Sequence, residues 1–239
     1  MASTYSSDLK LELITTGEKA GTWGTITNTN LQQLEQAASG YISHNIGAAD
    51  LALDLSNGAV SNGKNLYFKL TGTLTANRTM TMPDGAERVF VVEDATARSS
   101  SNYTLTVKTV SGTGLALPIG STTLLYSDGT NITGKLQTKG YYTPSATYTT
   151  VNGDQILVDT SGSGISAAVT INLPASPAIG NEVTFIDSGN NFASNNLTVG
   201  RNSSNILGAS SNLVVSTNGA AFTLVYVNAT RGWVYKDKI

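Results

Sequence analysis

RVFVVED at residues 88–94 and EVTFIDS at 182–188 decide the fold, because the second stretch repeats the first. Each alternates apolar and polar side chains, the period of a strand with one face buried. The likeness continues outward on both sides. Upstream, LYFKLTGTLTANRTMTMP (66–83) matches LVDTSGSGISAAVTINLP (157–174), each closed by a proline. Downstream, LTV recurs at 105–107 and 197–199, and TLLYSDGTNITG (123–134) returns as TLVYVNATRGWV (223–234). Four matches in one order indicate an internal duplication of a β-rich module. The expected architecture is mainly β: two tandem β-sandwich-like modules, 46–140 and 141–239, behind a short strand-loop-helix anchor at 1–45. KGYYTPSATYTTVNGD (139–154) joins the modules, broken by Pro144 and turned at Gly153. Turn signals such as PDG (83–85), SDG (127–129), SGSG (161–164) and TNG (217–219) recur at the spacing of a sandwich or small barrel. In the second module INLP, EVTFIDS, NLTVG, NLVVS and AFTLVYVN read as successive strands.

Composition narrows the function. The chain has 239 residues, 40% of them hydrophobic, enough for one large or two small cores. Only 13% are charged, about half the usual share. Thr, Ser, Asn and Gly fill the gap, a composition that fits extracellular β architectures and fibrous particles. The net charge of −2 comes with no basic cluster, so nucleic-acid and anionic-membrane binding are not expected. There is no cysteine, which removes disulfides, zinc thiolates and thiol nucleophiles. No secretory signal or membrane-length apolar run is visible, so membrane insertion is not expected.

Residues 1–45 differ from the rest. Leu9, Leu11 and Leu13 alternate with charged residues, as in a half-buried strand. After a glycine-punctuated loop (16–25), Leu31, Leu34, Ala38 and Tyr41 recur at helical spacing. Thr29 with Gln32 reads as a capping box and Gly40 as a stop, which predicts a helix over 28–39. A helix of about three turns is too short to stand alone. It must pack on its own modules, on sister chains or on another protein. Trp23, between Thr22 and Gly24, is expected to anchor in a partner's pocket rather than cover the base of its own module.

The segment GEKAGTWGTITNTNL at 17–31 carries a further signal. Over roughly residues 3–41 it resembles the N-terminus of tail-fibre and related virion structural proteins of marine tailed phages, especially cyanophages. The second module is similar to a β-module recurring in the same phages' structural proteins. The resemblance implies a virion protein, a tail-fibre or fibre-like projection, held by a common N-terminal device and bearing variable distal modules, normally as a homotrimer. It implies that Trp23, Leu31, Leu34 and Tyr41 bind other tail or baseplate proteins. The distal module would touch a host surface glycan or protein. The alternative is a head, collar or baseplate decoration or adaptor with no receptor contact.

Catalytic chemistry is weakly represented, and the chain is not expected to be an enzyme or to need a cofactor or metal. His44 is the single histidine, so a Ser-His-Asp triad would have to centre on it. Glu93, Asp94 and Asp187 end matching strands and could bind a sugar or cation, but turn acids accepting backbone N–H groups are the commoner case. Asp154, Asp159 and Asp187 form no recognised calcium loop. Trp233 and Tyr235 could stack on a sugar, though such residues more often close a core.

Overall fold

The structure is a computed structural model, and it describes residues 3–100, 103–138, 140–162 and 165–238. The turn expected at 161–164 and the start of the joining segment at 139 lie partly outside the described residues. The chain is mainly β with one α-helix and divides into two compact units. The first holds 1–97, 104–117 and 122–138; the second holds 98–103, 118–121 and 139–239.

In chain order the elements of the first stretch are β1 (Thr4–Tyr5), β2 (Glu12–Leu13), α1 (Trp23–Ser39), β3 (Tyr41–Asn45) and β4 (Leu51–Ala52). There follow β5 (Tyr67–Thr71), β6 (Thr73–Leu74), β7 (Arg78–Met82), β8 (Glu87–Asp94), β9 (Ala97–Arg98), β10 (Leu105–Thr109), β11 (Gly114–Leu117), β12 (Thr122–Asp128) and β13 (Ile132–Thr138). The second stretch has β14 (Tyr141–Tyr142), β15 (Tyr148–Thr149), β16 (Gln155–Val158), β17 (Val169–Asn172), β18 (Glu182–Asp187), β19 (Leu197–Gly200), β20 (Leu213–Val215), β21 (Ala221–Asn228) and β22 (Gly232–Lys238).

From β3 to β10, with β6 and β9 outside the main sheets, and from β14 to β19, strands alternate between two sheets. In the first unit the sheets run β13-β12-β8-β5-β3 and β11-β10-β7-β4; in the second they run β22-β21-β18-β16-β14 and β20-β19-β17-β15. The two orders correspond strand for strand. The central ladders are parallel: β3 with β5, β5 with β8, β4 with β7 and β7 with β10. Only the last strands turn back antiparallel, as β11 on β10 and β12 on β8 do. The central ladders thus give each unit a solenoid-like winding, where β-sandwich-like modules were expected. Turn spacing does not separate the two, because a coil that alternates between sheets also breaks every few residues. Phe68, Leu70, Phe90, Val92, Leu105 and Val107 are buried in the first unit, and Ile156, Phe185, Leu197, Leu224 and Trp233 in the core of the second.

Three local expectations are corrected. The alternation over 8–13 does not make one strand; Lys10 sits at φ 56, the chain turns there, and only Glu12–Leu13 pairs, with Thr4–Tyr5. The helix begins at Trp23, five residues before the expected start. A turn with Lys19 at φ 60 and Gly21 at φ 80 sets it up, with Trp23 N donating to Lys19 O. Thr29 is consequently mid-helix and its hydroxyl donates to Thr25 O, so it caps nothing. Gly40 does end the helix, in an extended conformation. His44 lies in β3, which pairs with β5, so the first unit's sheet starts ahead of residue 46.

Candidate functional site

The helix is amphipathic in the reverse of the usual sense. Apolar side chains of a surface helix ordinarily face the body that carries it. Here Trp23 is 63% exposed, Leu31 57%, Leu34 43% and, just past the helix, Tyr41 59%. Ala38, on the same face, is exposed as well. Trp23 therefore does not cover the base of its own unit. Tyr41 rests one side on Tyr67, with ring centroids 5.7 Å apart and nearly parallel planes.

The face that the helix turns toward its unit carries three amides beside the half-buried Ile26 and Ala37. Asn30 Oδ1 accepts from Glu12 N at 3.0 Å and its Nδ2 donates to Glu12 O at 2.9 Å, so one amide satisfies both main-chain groups of a strand residue. Gln36 Nε2 donates to Ser61 O at 2.9 Å. Gln33 is the helix's one fully buried side chain, and its Oε1 accepts from the ammonium of Lys64, itself fully buried. Lys64 also donates to Ser56 O at 2.7 Å and Ala59 O at 2.6 Å. Burial pushes its ammonium down to about 8, partly opposed by the charge of Asp54. Beneath it Arg88 donates to the carbonyls of Gly63, Lys64 and Asn65, and burial lowers its guanidinium to about 10. Two buried cations solvated by carbonyls thus build the seat for an amide-lined helix. An apolar stripe is left outward on a firmly held support.

The other candidate residues fall into structural places. Asp94 accepts from Thr96 N at 3.1 Å, and Asp187 from Asn191 N, Phe192 N and Gly219 N at 3.0–3.3 Å. Both are buried, and they tie down the loops that follow their strands. Glu93 faces out and holds Lys69 Nζ and the Tyr67 hydroxyl, each at 2.8 Å. Among the described residues no three His, Cys, Asp or Glu side chains gather where they could hold a metal ion. Asp159 caps its own turn through Ser161, and Asp154 accepts the buried Tyr148 hydroxyl at 2.8 Å. Trp233 is fully buried, edge-on to Tyr226 at 5.6 Å. Tyr235 and Phe222, with Val214, Val215 and Ala220, wall a cavity of about 280 Å³ in the second unit.

Sequence reading marks RNSSNILGASSN at 201–212 as an extra stretch of the second module, though not its charge. The stretch 201–212, absent from the first module, is woven into the β21–β22 turn. Leu207 N donates to Trp233 O, Gly208 N to Arg231 O and Asn205 Nδ2 to Thr230 O, at 2.7–2.9 Å. The signal was available: no Asp or Glu occurs between Ser188 and Lys236, while Arg201 and Arg231 do.

No family model and no curated protein matches the chain. Among solved structures, one of a chaperone-substrate complex is similar over 82% of this chain, with a TM-score of 0.35 and 12% sequence identity. The chain spans 36% of that protein's length.

Proposed function

We propose that the chain is a structural protein of a tailed-phage virion, a fibre-like projection fixed to tail or baseplate proteins through residues 1–45, with two copies of one β-module projecting from it. The observation that carries this reading is the reversed helix. A 17-residue helix that buries Gln33 and presents Trp23, Leu31 and Leu34 to solvent has its apolar face reserved for something outside its own unit. Tryptophan and tyrosine are enriched among the residues that carry the energy of a docking interface, and burial of leucine adds apolar area. The resemblance of GEKAGTWGTITNTNL to phage attachment segments supports tail or baseplate proteins as the partner class, and a homotrimer would multiply weak distal contacts by effective concentration. The second module, distal in this arrangement, meets the host surface.

The test is incorporation. Particles are assembled with the Trp23→Gln/Leu31→Gln/Leu34→Gln protein and probed by immunoblot, and wild-type particles are gold-labelled with an antibody to 141–239. The expected results are loss of the variant from particles and label at the tips of tail appendages. A variant that incorporates normally overturns the anchor. Label on the head or collar replaces the fibre reading with a decoration protein.

A further inference from the structure

The five arginines divide into two kinds. Three spend their guanidinium N–H groups on main-chain carbonyls: Arg78 on Gly47 and Ala48, Arg88 on Gly63, Lys64 and Asn65, and Arg98 on Tyr103. Among the described residues, the guanidinium groups of Arg201 and Arg231 form no hydrogen bond or ion pair. Both belong to one loop edge of the second unit, where the 201–212 insert crosses the β21–β22 turn. Main-chain bonds fix them there. Arg231 N donates to Asn228 Oδ1 at 2.7 Å, Arg201 N donates to Asn212 Oδ1 at 3.1 Å, and Ser204 N donates to Arg201 O at 3.0 Å. Gly208, at φ 83, lies beside the Arg231 stem, whose Cδ would stand 4.0 Å from an added Cβ, an ordinary contact.

The charge around them is one-sided. The matching edge of the first unit carries Asp84, Glu87 and Asp128, the first and last capping Ser111 N and Thr130 N. In the second unit Asn228 takes the capping role, and the edge carboxylate, Glu182, is paired with Lys236 at 2.9 Å. The insert is also built at a conformational cost. Asn202, Ser203 and Leu207 all have positive φ, and Leu207 is 41% exposed. Rigid, strained backbone presenting free cations among Ser and Asn side chains, with one apolar side chain between, suits a ligand that combines acid groups, hydroxyls and an apolar ring face. Two cations are too few for a phosphate backbone.

From these observations we infer that the 201–212/228–232 edge of the second unit binds an acidic polysaccharide, with Arg201 and Arg231 pairing its carboxylate or sulfate groups. The inference names the ligand class for the host-facing end in the proposed function and rests on that reading for its biological setting only. The binding itself is tested on the full-length protein, without particles.

Immobilised protein is exposed to alginate, dextran sulfate, neutral dextran and polyglutamate at 50 and 500 mM NaCl. Alginate or dextran sulfate should bind and weaken with salt, and dextran should not. Arg201→Gln and Arg231→Gln should each weaken binding about tenfold, whereas Lys108→Gln, the same change of charge in the first unit, should not. Thermal unfolding of each variant verifies that it is folded. No retention of either acidic glycan, equal retention of dextran, retention of polyglutamate as tight as that of the glycans, or an equal loss in Lys108→Gln overturns the inference. Each of these outcomes leaves particle incorporation, the test of the anchor, untouched.

Discussion

In the first unit the edge bearing Asp84, Glu87 and Asp128 is capped by the chain's own N-terminal segment: Glu87 N donates to Asp8 Oδ1 at 3.2 Å and Gly58 N to Lys10 O at 2.7 Å. In the second unit Glu182 N donates instead to Asn152 Oδ1 of the joining segment at 2.8 Å, and the edge carries the 201–212 insert with two guanidinium groups that, among the described residues, are unpaired. The same strand order in the same two sheets has been finished by a docked helix in one case and by a strained, cationic loop in the other. The scaffold sets where loops emerge, and the loops set what the edge can hold.

The sharpest way to break this comparison is to remove the insert's foothold. Gly232 has φ 67, and a Cβ there would stand 1.8 Å from Asn205 O, a main-chain atom that cannot rotate away. Gly129, the positive-φ glycine of the first unit's β12–β13 hairpin, has φ 83 but nothing nearer than 3.4 Å. Gly232→Ala should therefore cost ~3 kcal/mol or more, and Gly129→Ala ~1 kcal/mol, the strain of left-handed backbone alone. Calorimetry should show Tm falling by ~6–12 °C and ~2–4 °C. Equal falls would mean that the insert does not brace its turn.

The next effect concerns the first unit's seat. The native state gives up the Lys64 proton near pH 8, whereas the unfolded chain keeps it to the ordinary lysine value near 10.5. The unfolded state then holds more protons over that interval, so stability rises with pH from about 8 toward 10. Tyr148 acts in the opposite sense above pH 10. Burial, then the neighbouring Asp154, raises its hydroxyl, and the native state keeps a proton that the unfolded chain loses. Arg88, lowered to about 10 by burial, opposes Tyr148 above pH 10, so the clear expectation is a rise between pH 8 and 10 in a chemical-denaturation series. Lys64→Met should abolish the rise and, by leaving Gln33 Oε1 and two carbonyls unpaired, lower stability at pH 7 by about 1–3 kcal/mol. A rise that survives in the variant would assign it to another group.

Much of this was legible in the sequence, and the misses have physical causes. The alternation of 88–94 and 182–188 located β8 and β18, and the shared letters located the duplicated strands. The letters misplace the register, however. They align Leu124 with Leu224, yet Leu125 lies opposite Phe90 and Leu224 opposite Val183, and both partners stand four residues before the aspartate that closes the strand. Leu125 is thus the counterpart of Leu224, and a slip of one residue exchanges the faces of a strand. Leu31, Leu34, Ala38 and Tyr41 were legible as a stripe, but neither its extension to Trp23 nor the contacts that turn it outward were. Direction depends on Asn30, Gln33 and Gln36 finding Glu12, Lys64 and Ser61, partners distant in sequence.

The smallest expected effect is the most informative about the stripe. If Trp23, Leu31 and Leu34 point away from the unit, Trp23→Gln/Leu31→Gln/Leu34→Gln removes no internal packing and substitutes a residue of comparable helix propensity. Stability of the isolated protein should change by no more than about 0.5 kcal/mol by urea titration. A loss above about 2 kcal/mol would mean that these side chains are packed within a single chain in solution, and the outward face would be withdrawn. A loss that appears only at high protein concentration would mean that copies of the chain bury the stripe against one another, since stability coupled to assembly follows mass action. The near-zero result keeps the helix as it stands: a polar side that secures it to the first unit, and an apolar side whose partner is elsewhere.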